Sequence, residues 1–416
     1  MKKRDGLFLE FVRYSFFNIL GMLGLSCYIS ADTYFVSRDL GSNGLAALNL
    51  ALPVYGLIHG SGLMLGIGGA AKYSAFRGRG LPAEANRALS HTLRLGGVFA
   101  LACLAAGLFF AVPIARAMGA AGDTFEMCRT YLRVILLFAP AFLLNNIMLA
   151  FARNEGAPHL AMWAMLGGSL SNMALDYVFI FPLDMGILGA AFATGLAPCI
   201  SLSILSPFLL GKRRCFRAKD AGISPRLNGG ICSAGFPSLV TEVSSGIVMF
   251  VFNGILLGLH GTAGVAAYGI VANLSLVVLS MYTGIAQGNQ PLVSQYYGRK
   301  EEGNIHRALR YAFGTVAVLS AAAYAGIFLG AEAIASLFNS GRDPGLQALA
   351  VPGLRIYFTG CLFAGVNIVL ASCLAATGRA KPAGLISLAR GFFVILPLAL
   401  ILPGAWGATG LWSAFL

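Results

Sequence analysis

Eleven mostly apolar runs, each long enough to cross a lipid bilayer, constrain the fold of this chain more than any other feature. A helix needs about 20 apolar residues to span the hydrocarbon core, and only helices or closed barrels satisfy their backbone hydrogen bonds there. We predict an all-α integral membrane protein with spans near residues 14–37, 45–71, 91–113, 130–151, 160–182, 187–210, 231–257, 265–287, 308–328, 351–375 and 382–402. A twelfth run begins near Gly407 and is incomplete at Leu416.

Composition supports this class and argues against several others. The 416 residues are 57% hydrophobic and 11% charged, whereas soluble domains are about 25% charged. No small-residue cleavage site follows the first apolar run, so we expect it to be retained as a helix. The eight cysteines show no paired spacing, and no GxSxG, HExxH or phosphate-binding loop lies in a suitable context. We therefore predict neither an enzyme nor a cofactor.

The distribution of positive charge predicts the orientation in the membrane. With these spans, 22 of the 29 Lys and Arg residues lie on the side of the N-terminus and four on the opposite side. Arg153, at the end of the fourth span, is among the 22. Because cytoplasmic loops are enriched in Lys and Arg, we predict a multi-pass protein of the cytoplasmic membrane with a cytoplasmic N-terminus. The net charge of +13 is explained in this way, so no nucleic-acid partner is expected.

The chain repeats itself at an offset of about 220 residues. Six short motifs recur in the same order at offsets of 218–222 residues, beginning with the pair Gly41 and Gly261 and ending with the pair Gly186 and Gly404. An even number of spans per unit gives both halves the same orientation, as in transporters with a substrate path between two bundles. We predict two bundles, residues 1–210 and 230–416, joined by a basic cytoplasmic linker over 211–229.

Four polar residues inside the spans indicate an ion site. Asp32, Asp176 and Thr194 fall roughly 8–12 Å from the outer ends of their spans at 1.5 Å per residue, and Asn172 lies one turn from Asp176. A carboxylate in the bilayer usually faces the protein interior and serves a pathway. Oxygen ligands suit a hard monovalent cation or a shared proton better than a transition metal. We predict that these four residues bind Na⁺ or H⁺. The alternatives are that Asp32 marks the frayed end of its helix and that the other three make structural hydrogen bonds.

Three further residues are candidates for a substrate pathway. Tyr28 and Phe35 share the Asp32 face of the first span and could hold a cation against their rings, or they could simply pack. Glu242 lies mid-span in the seventh run, where a carboxylate is costly. It either handles substrate or protons or makes a buried structural bond.

The residues around these positions resemble a known family. The carrying segments are Asp32 with the following LNLALPVYGLIHGSGLMLGIGG, NMALDYVFIF with GILGAAFAT, GFPSL, and GIAQGNQPLVSQYYG. Together they resemble the multidrug and toxic compound extrusion (MATE) family, in its bacterial drug-efflux branch. The resemblance runs from about residue 10 to the C-terminus and implies two six-helix bundles and alternating access. It also implies a cation site that falls on Asp32, Asn172, Asp176 and Thr194.

The resemblance implies export of amphipathic organic cations by antiport with Na⁺ or H⁺, by a protein that we expect to be monomeric. Two alternatives stay open: a flippase for a lipid-linked precursor, and a non-transporting membrane receptor or enzyme. The chain departs from the family in two places. The inner half of helix 1, Tyr14 to Gly21, lacks the proline that many members have there, and Glu242 lies about one turn before the helix-7 glutamate of some branches.

Overall fold

The computed structural model describes residues 2–210, 224–339 and 343–415. The described residues form helices joined by short turns, without a strand. Ten of these helices are long and apolar enough to cross a membrane, which confirms the predicted all-α membrane class. We label the long helices α1 (Gly6–Gly41), α2 (Asn43–Gly78), α3 (Pro82–Phe109), α4 (Asp123–Asn154), α5 (Pro158–Ile180), α6 (Gly186–Leu210), α7 (Pro225–Gly261), α8 (Ala263–Arg299), α9 (Glu302–Phe338), α10 (Pro344–Ala376) and α11 (Ala380–Ser413).

The predicted spans fall within or closely overlap these helices, but most of the helices are longer. The helices α1 and α2 each have 36 residues, because the chain stays helical beyond the apolar segment into the polar ends. The helix α5, with 23 residues, is long enough to cross but is not among the ten apolar ones. Its polar residues, including Asn172 and Asp176, lower its mean hydropathy.

Glycines with left-handed backbone angles separate consecutive helices at equivalent places in the two halves. Gly41 separates α1 from α2 with φ 59° and ψ −147°, and Gly261 separates α7 from α8 with φ 60° and ψ −147°. This region of φ and ψ is accessible essentially only to glycine. The predicted motif pair is therefore also a structural pair, in which one residue type permits the same break twice.

The last predicted motif pair, Gly186 with Gly404, is wrong by three residues in the second half. Gly186, which begins α6, has φ 52°, and the glycine with a matching angle in the second half is Gly407, with φ 57°. Gly407 breaks α11 and begins its last turns. Residue identities favoured Gly404, but the turn requires a glycine at the point where φ becomes positive, which lies three residues later.

Hydrophobic clusters follow the two halves of the chain. The largest buried cluster is built mainly from α7–α11, and two others mainly from α1–α6. We call these two groups of helices the N-lobe (α1–α6) and the C-lobe (α7–α11). The predicted linker lies mostly outside the described residues, and α7 already begins at Pro225, four residues before the predicted end of the linker. The predicted domain limits otherwise stay a prediction.

The two lobes touch most closely at one end, through glycines. A Cβ on Gly68 of α2 would lie 2.1 Å from the carbonyl oxygen of Ile231 in α7. A Cβ on Gly288 of α8 would lie 2.9 Å from the backbone of Ser15 in α1. Both contacts lie in the halves of these helices that point toward the predicted cytoplasmic side. At the opposite end, a Cβ on Gly41 or Gly261 would meet nothing within 4 Å.

Candidate cation site and cavities

Three of the four predicted cation ligands meet where α5 packs against α6. Asn172 and Asp176 lie one helical turn apart on the buried face of α5, and Thr194 lies in α6; all three are almost completely buried. With its amide oriented to satisfy both of its polar atoms, Asn172 donates from Nδ2 to Asp176 Oδ2 at 3.1 Å. Its Oδ1 accepts from the backbone N–H of Thr194 at 3.1 Å. Asn172 therefore ties the carboxylate to the first turns of α6.

The fourth residue, Asp32 of α1, joins this group. Its side chain is 6% exposed and is close enough to interact electrostatically with Asp176. Within the described part of the chain, Asp32 Oδ1 and Asp176 Oδ1 are both buried without a hydrogen-bond partner. Buried carboxylate oxygens are costly unless a donor or a cation satisfies them. The arrangement therefore provides two buried acceptor atoms, on interacting carboxylates, that a small cation or a proton could satisfy.

Two tyrosines that sequence reasoning missed complete the surroundings of these acids. Tyr131 of α4 is buried and lies near Thr194 and both aspartates. Tyr55 of α2 shares a 2.7 Å hydrogen bond between hydroxyl groups with Tyr28. The fourth predicted span begins at residue 130, which puts Tyr131 at its outer end. Because α4 begins seven residues earlier, at Asp123, Tyr131 lies about 12 Å along the helix at 1.5 Å per residue, and the sequence contains no signal for that depth.

The three candidates for a substrate pathway occupy different surroundings. Tyr28 is buried, and besides contacting Tyr55 it lines a cavity in the N-lobe. Phe35 packs against Phe181, with ring centroids 6.0 Å apart, and does not line either of the cavities described below. Glu242 of α7 is half-buried against α2, where a Cβ added to Gly60 would lie 3.0 Å from the Cβ of Glu242.

An open cavity of about 670 Å³ lies inside the N-lobe. The helices α1, α2, α4, α5 and α6 contribute its walls, and Gln287 of α8 closes one side. The lining includes Thr194 and Tyr28, so the cavity borders the acid pair. His59, whose ring stacks on Tyr55 with centroids 5.8 Å apart, and Arg153 also line it.

A second open cavity, of about 660 Å³, lies in the C-lobe. Glu242 and Arg390 are its charged lining residues, and most of its other polar lining groups are hydroxyls and amides. Arg390 lies in a π-helical segment, Ala389–Val394, and such bulges occur frequently at functional sites. The two cavities share Leu63 and Gln287, so they adjoin at the junction of the lobes.

Comparison with known proteins identifies the family. Residues 18–178 and 237–401 match the model of the MatE family. The chain belongs to this family. It is similar to the multidrug export protein MepA of Staphylococcus saprophyticus, with 25% identity over 414 residues, 99% of this chain and 91% of the relative. The MepA protein of Staphylococcus aureus is also 25% identical over 99% of the chain and 91% of its own length.

Solved MATE structures share the whole fold. An outward-facing multidrug resistance MATE transporter superimposes with a TM-score of 0.91 at 25% identity, over 98% of this chain and 92% of that chain. A MATE transporter from Vibrio cholerae, at 23% identity, has a TM-score of 0.90. The family and fold predicted from the sequence are therefore confirmed, and the protein is a multi-pass MATE-family membrane protein.

Proposed function

We propose that the protein exports small amphipathic molecules, organic cations among them, across the cytoplasmic membrane in exchange for Na⁺ or H⁺. The observation that carries this proposal is the pair of buried, unpartnered oxygens, Asp32 Oδ1 and Asp176 Oδ1, on the border of an open cavity. An ion that enters this site changes the charge beside the cavity. The names of the relatives, which are multidrug export proteins, support export over the flippase and receptor alternatives.

The packing of the lobes supports alternating access. The close glycine contacts join the lobes at the end that carries the N-terminus, and the charge distribution favours the cytoplasm for that end. Lobes that are joined at the cytoplasmic end are consistent with the outward-facing conformation of the similar MATE structure. An ion that binds the Asp32–Asp176 pair from outside shifts the equilibrium between the outward and inward states only as far as it binds one of them more tightly.

Four residues provide the ion site in this mechanism. Asp32 and Asp176 supply the charge, and Asn172 fixes the Asp176 carboxylate through its 3.1 Å bond. Thr194 contributes its hydroxyl, close to Tyr131. A carboxylate, amide and hydroxyl set is suited to Na⁺ and equally able to share a proton, so the coupling ion is decided by experiment.

The test compares Asp176→Asn with Asp184→Asn in proteoliposomes. We expect Asp176→Asn to abolish export of a cationic dye driven by Na⁺ or pH gradients imposed separately. Asp184 is a matched control, because it is an exposed acid in the turn just after α5 with φ 49°, where asparagine is also tolerated. Equal transport by the wild type and Asp176→Asn would contradict the proposal.

A further inference from the structure

Arg153, near the end of α4, is a buried charge that no acid of the described residues neutralises. Its side chain is 3% exposed, and within residues 2–210, 224–339 and 343–415 no hydrogen bond or ion pair satisfies its guanidinium. The nearest acid in the sequence, Glu155, already pairs with Arg77 at 3.2 Å. An unpaired charge buried in this way is expensive unless something compensates it.

The guanidinium lies where a ligand can supply that compensation. Arg153 lines the N-lobe cavity together with Asn145 and Ser201. In the described part of the chain, Asn145 Oδ1 and Ser201 Oγ are also buried without a partner. Among the described residues that line this cavity there is no Asp or Glu, and the formal charge they contribute is that of Arg153. The acid pair lies beside it rather than in its wall.

The internal repeat indicates that the fold itself does not require this arginine. The α4 and α10 helices correspond at an offset of 222 residues, which pairs Gly156 with Gly378, both with positive φ. At this offset Asn145 corresponds to Asn367, which lines the C-lobe cavity, and Arg153 corresponds to Ala375, which also lines it. The same position of the same architecture therefore accommodates alanine, and the charge is specific to the N-lobe cavity.

We propose that Arg153 is an oxyanion subsite, which binds the carboxylate or phosphate group of an amphiphile whose apolar part lies in the N-lobe cavity. A planar guanidinium binds these groups through paired, charge-assisted hydrogen bonds. Ser201 offers a further hydroxyl donor. The apolar part of the ligand would contact Met22, Leu149 and Met165, which line the same cavity. The inference deepens the proposed export function, because it adds oxyanion-bearing amphiphiles to its substrates.

The test measures binding without any ion gradient, so it does not depend on transport. Purified protein in nanodiscs of neutral lipid is titrated with dodecyl phosphate and, in parallel, with dodecyltrimethylammonium. We expect Arg153→Gln to weaken binding of dodecyl phosphate at least about tenfold, as loss of a charged hydrogen-bond partner does, and to leave binding of the cation unchanged. Arg153→Lys should retain part of the affinity because the charge remains. Arg310→Gln, which removes an exposed arginine of α9, is the matched control and should change neither.

Two outcomes would overturn the subsite. One is an equal loss of affinity for both amphiphiles in Arg153→Gln, which would indicate a structural role. The other is unchanged affinity of Arg153→Gln for dodecyl phosphate. A second arm distinguishes the source of the oxyanion. If native mass spectrometry shows phosphatidylglycerol retained by the wild type and lost from Arg153→Gln, a lipid headgroup occupies the subsite. If that lipid is not retained and dodecyl phosphate still depends on Arg153, the ligand is a solute. Loss of ion-coupled transport alone would count against the export proposal and not against the subsite.

Discussion

At the scale of single residues, the buried polar groups of the N-lobe take their partners both from their own helix and from neighbouring helices. Asp176 and Asn172 could be paired beforehand, because residues four apart share one helix face. Tyr131 could not, because nothing in one sequence shows which face of α4 meets α6. Arg153 was counted with the loop charges, since its position at a span end fits the positive-inside rule. Its burial depends on the packing of α4 against α5 and α6, which no local pattern encodes.

The hydroxyl of Tyr131 provides the first prediction. It lies close to the side chain of Thr194, so Tyr131→Phe removes a hydroxyl group that can hydrogen-bond the threonine when an ion is bound. Removing one neutral hydrogen bond costs about 1 kcal/mol, so the ion concentration for half-maximal transport should rise roughly fivefold at an unchanged maximal rate. Tyr177→Phe, which removes an exposed hydroxyl from α5, should have no effect. A lowered maximal rate with unchanged ion dependence would place Tyr131 outside the ion site.

The amide of Asn172 provides the second prediction, because both of its polar atoms are used. Asn172→Leu keeps the number and branching of the heavy side-chain atoms but cannot donate to Asp176 or accept from Thr194, so it should abolish ion-dependent transport. Asn172→Gln has the same groups on a longer side chain and should recover part of it. The readout is ion-driven dye efflux, normalised to the amount of folded protein in the membrane. Full activity of the leucine variant would show that the carboxylate needs no positioning.

At the scale of helices, glycine has two separate uses that the sequence does not distinguish. Gly41 and Gly261 provide backbone angles that other residues avoid, and their motif could be found as a repeat. Gly68 and Gly288 have helical angles and are required because another helix lies against them. Gly62 and Gly284 correspond in the repeat, yet Gly62 packs on α4 of its own lobe and Gly284 on α1 of the other. The sequence therefore predicts the repeated helices but not which of their faces form the contact between lobes.

The contact between α2 and α7 provides the third prediction. In Gly68→Leu the new side chain would meet the carbonyl oxygen of Ile231, because a Cβ alone would lie 2.1 Å away. Because backbone atoms can be displaced only at a high energetic cost, we expect the two lobes to separate at the end where these glycine contacts lie. Cys232, which is partly buried in α7 beside this contact, should then react faster with a cytoplasmic maleimide in a variant that retains no other cysteine. The control is Gly97→Leu, at an α3 glycine where a Cβ would meet nothing within 4 Å, and it should keep the slow labelling rate of Cys232. Equal labelling rates in the two variants would show that the Gly68 contact does not hold the lobes together.

At the scale of the whole molecule, the repeated architecture has become functionally asymmetric. Each lobe has a cavity of similar size, and corresponding positions line both, such as Asn145 and Asn367. Their charges differ, because the acid pair and Arg153 belong to the N-lobe and Glu242 and Arg390 to the C-lobe. The sequence places Asp32 and Asp176 in the first half and Glu242 in the second. It could not show that the two cavities adjoin at Leu63 and Gln287, because that contact depends on how the lobes dock.

Docking of the lobes provides the last prediction, which concerns distances between spin labels on opposite lobes. Labels at the exposed positions Arg79 and Arg299 report the distance at the end where the glycine contacts join the lobes. Labels at Asn43 and His260 report the distance at the opposite end. If the lobes rock as two bodies, conditions that lengthen one distance must shorten the other, because each lobe is rigidly packed. Gly68→Leu should lengthen the first distance and shorten the second without added ligand, and Asp32→Asn should remove any shift caused by Na⁺ or acid pH. A label pair within the N-lobe, at Asn43 and Asp184, should not change. Distances that lengthen or shorten together at both ends would show that the lobes separate rather than alternate, and the exchange mechanism would fail with that result.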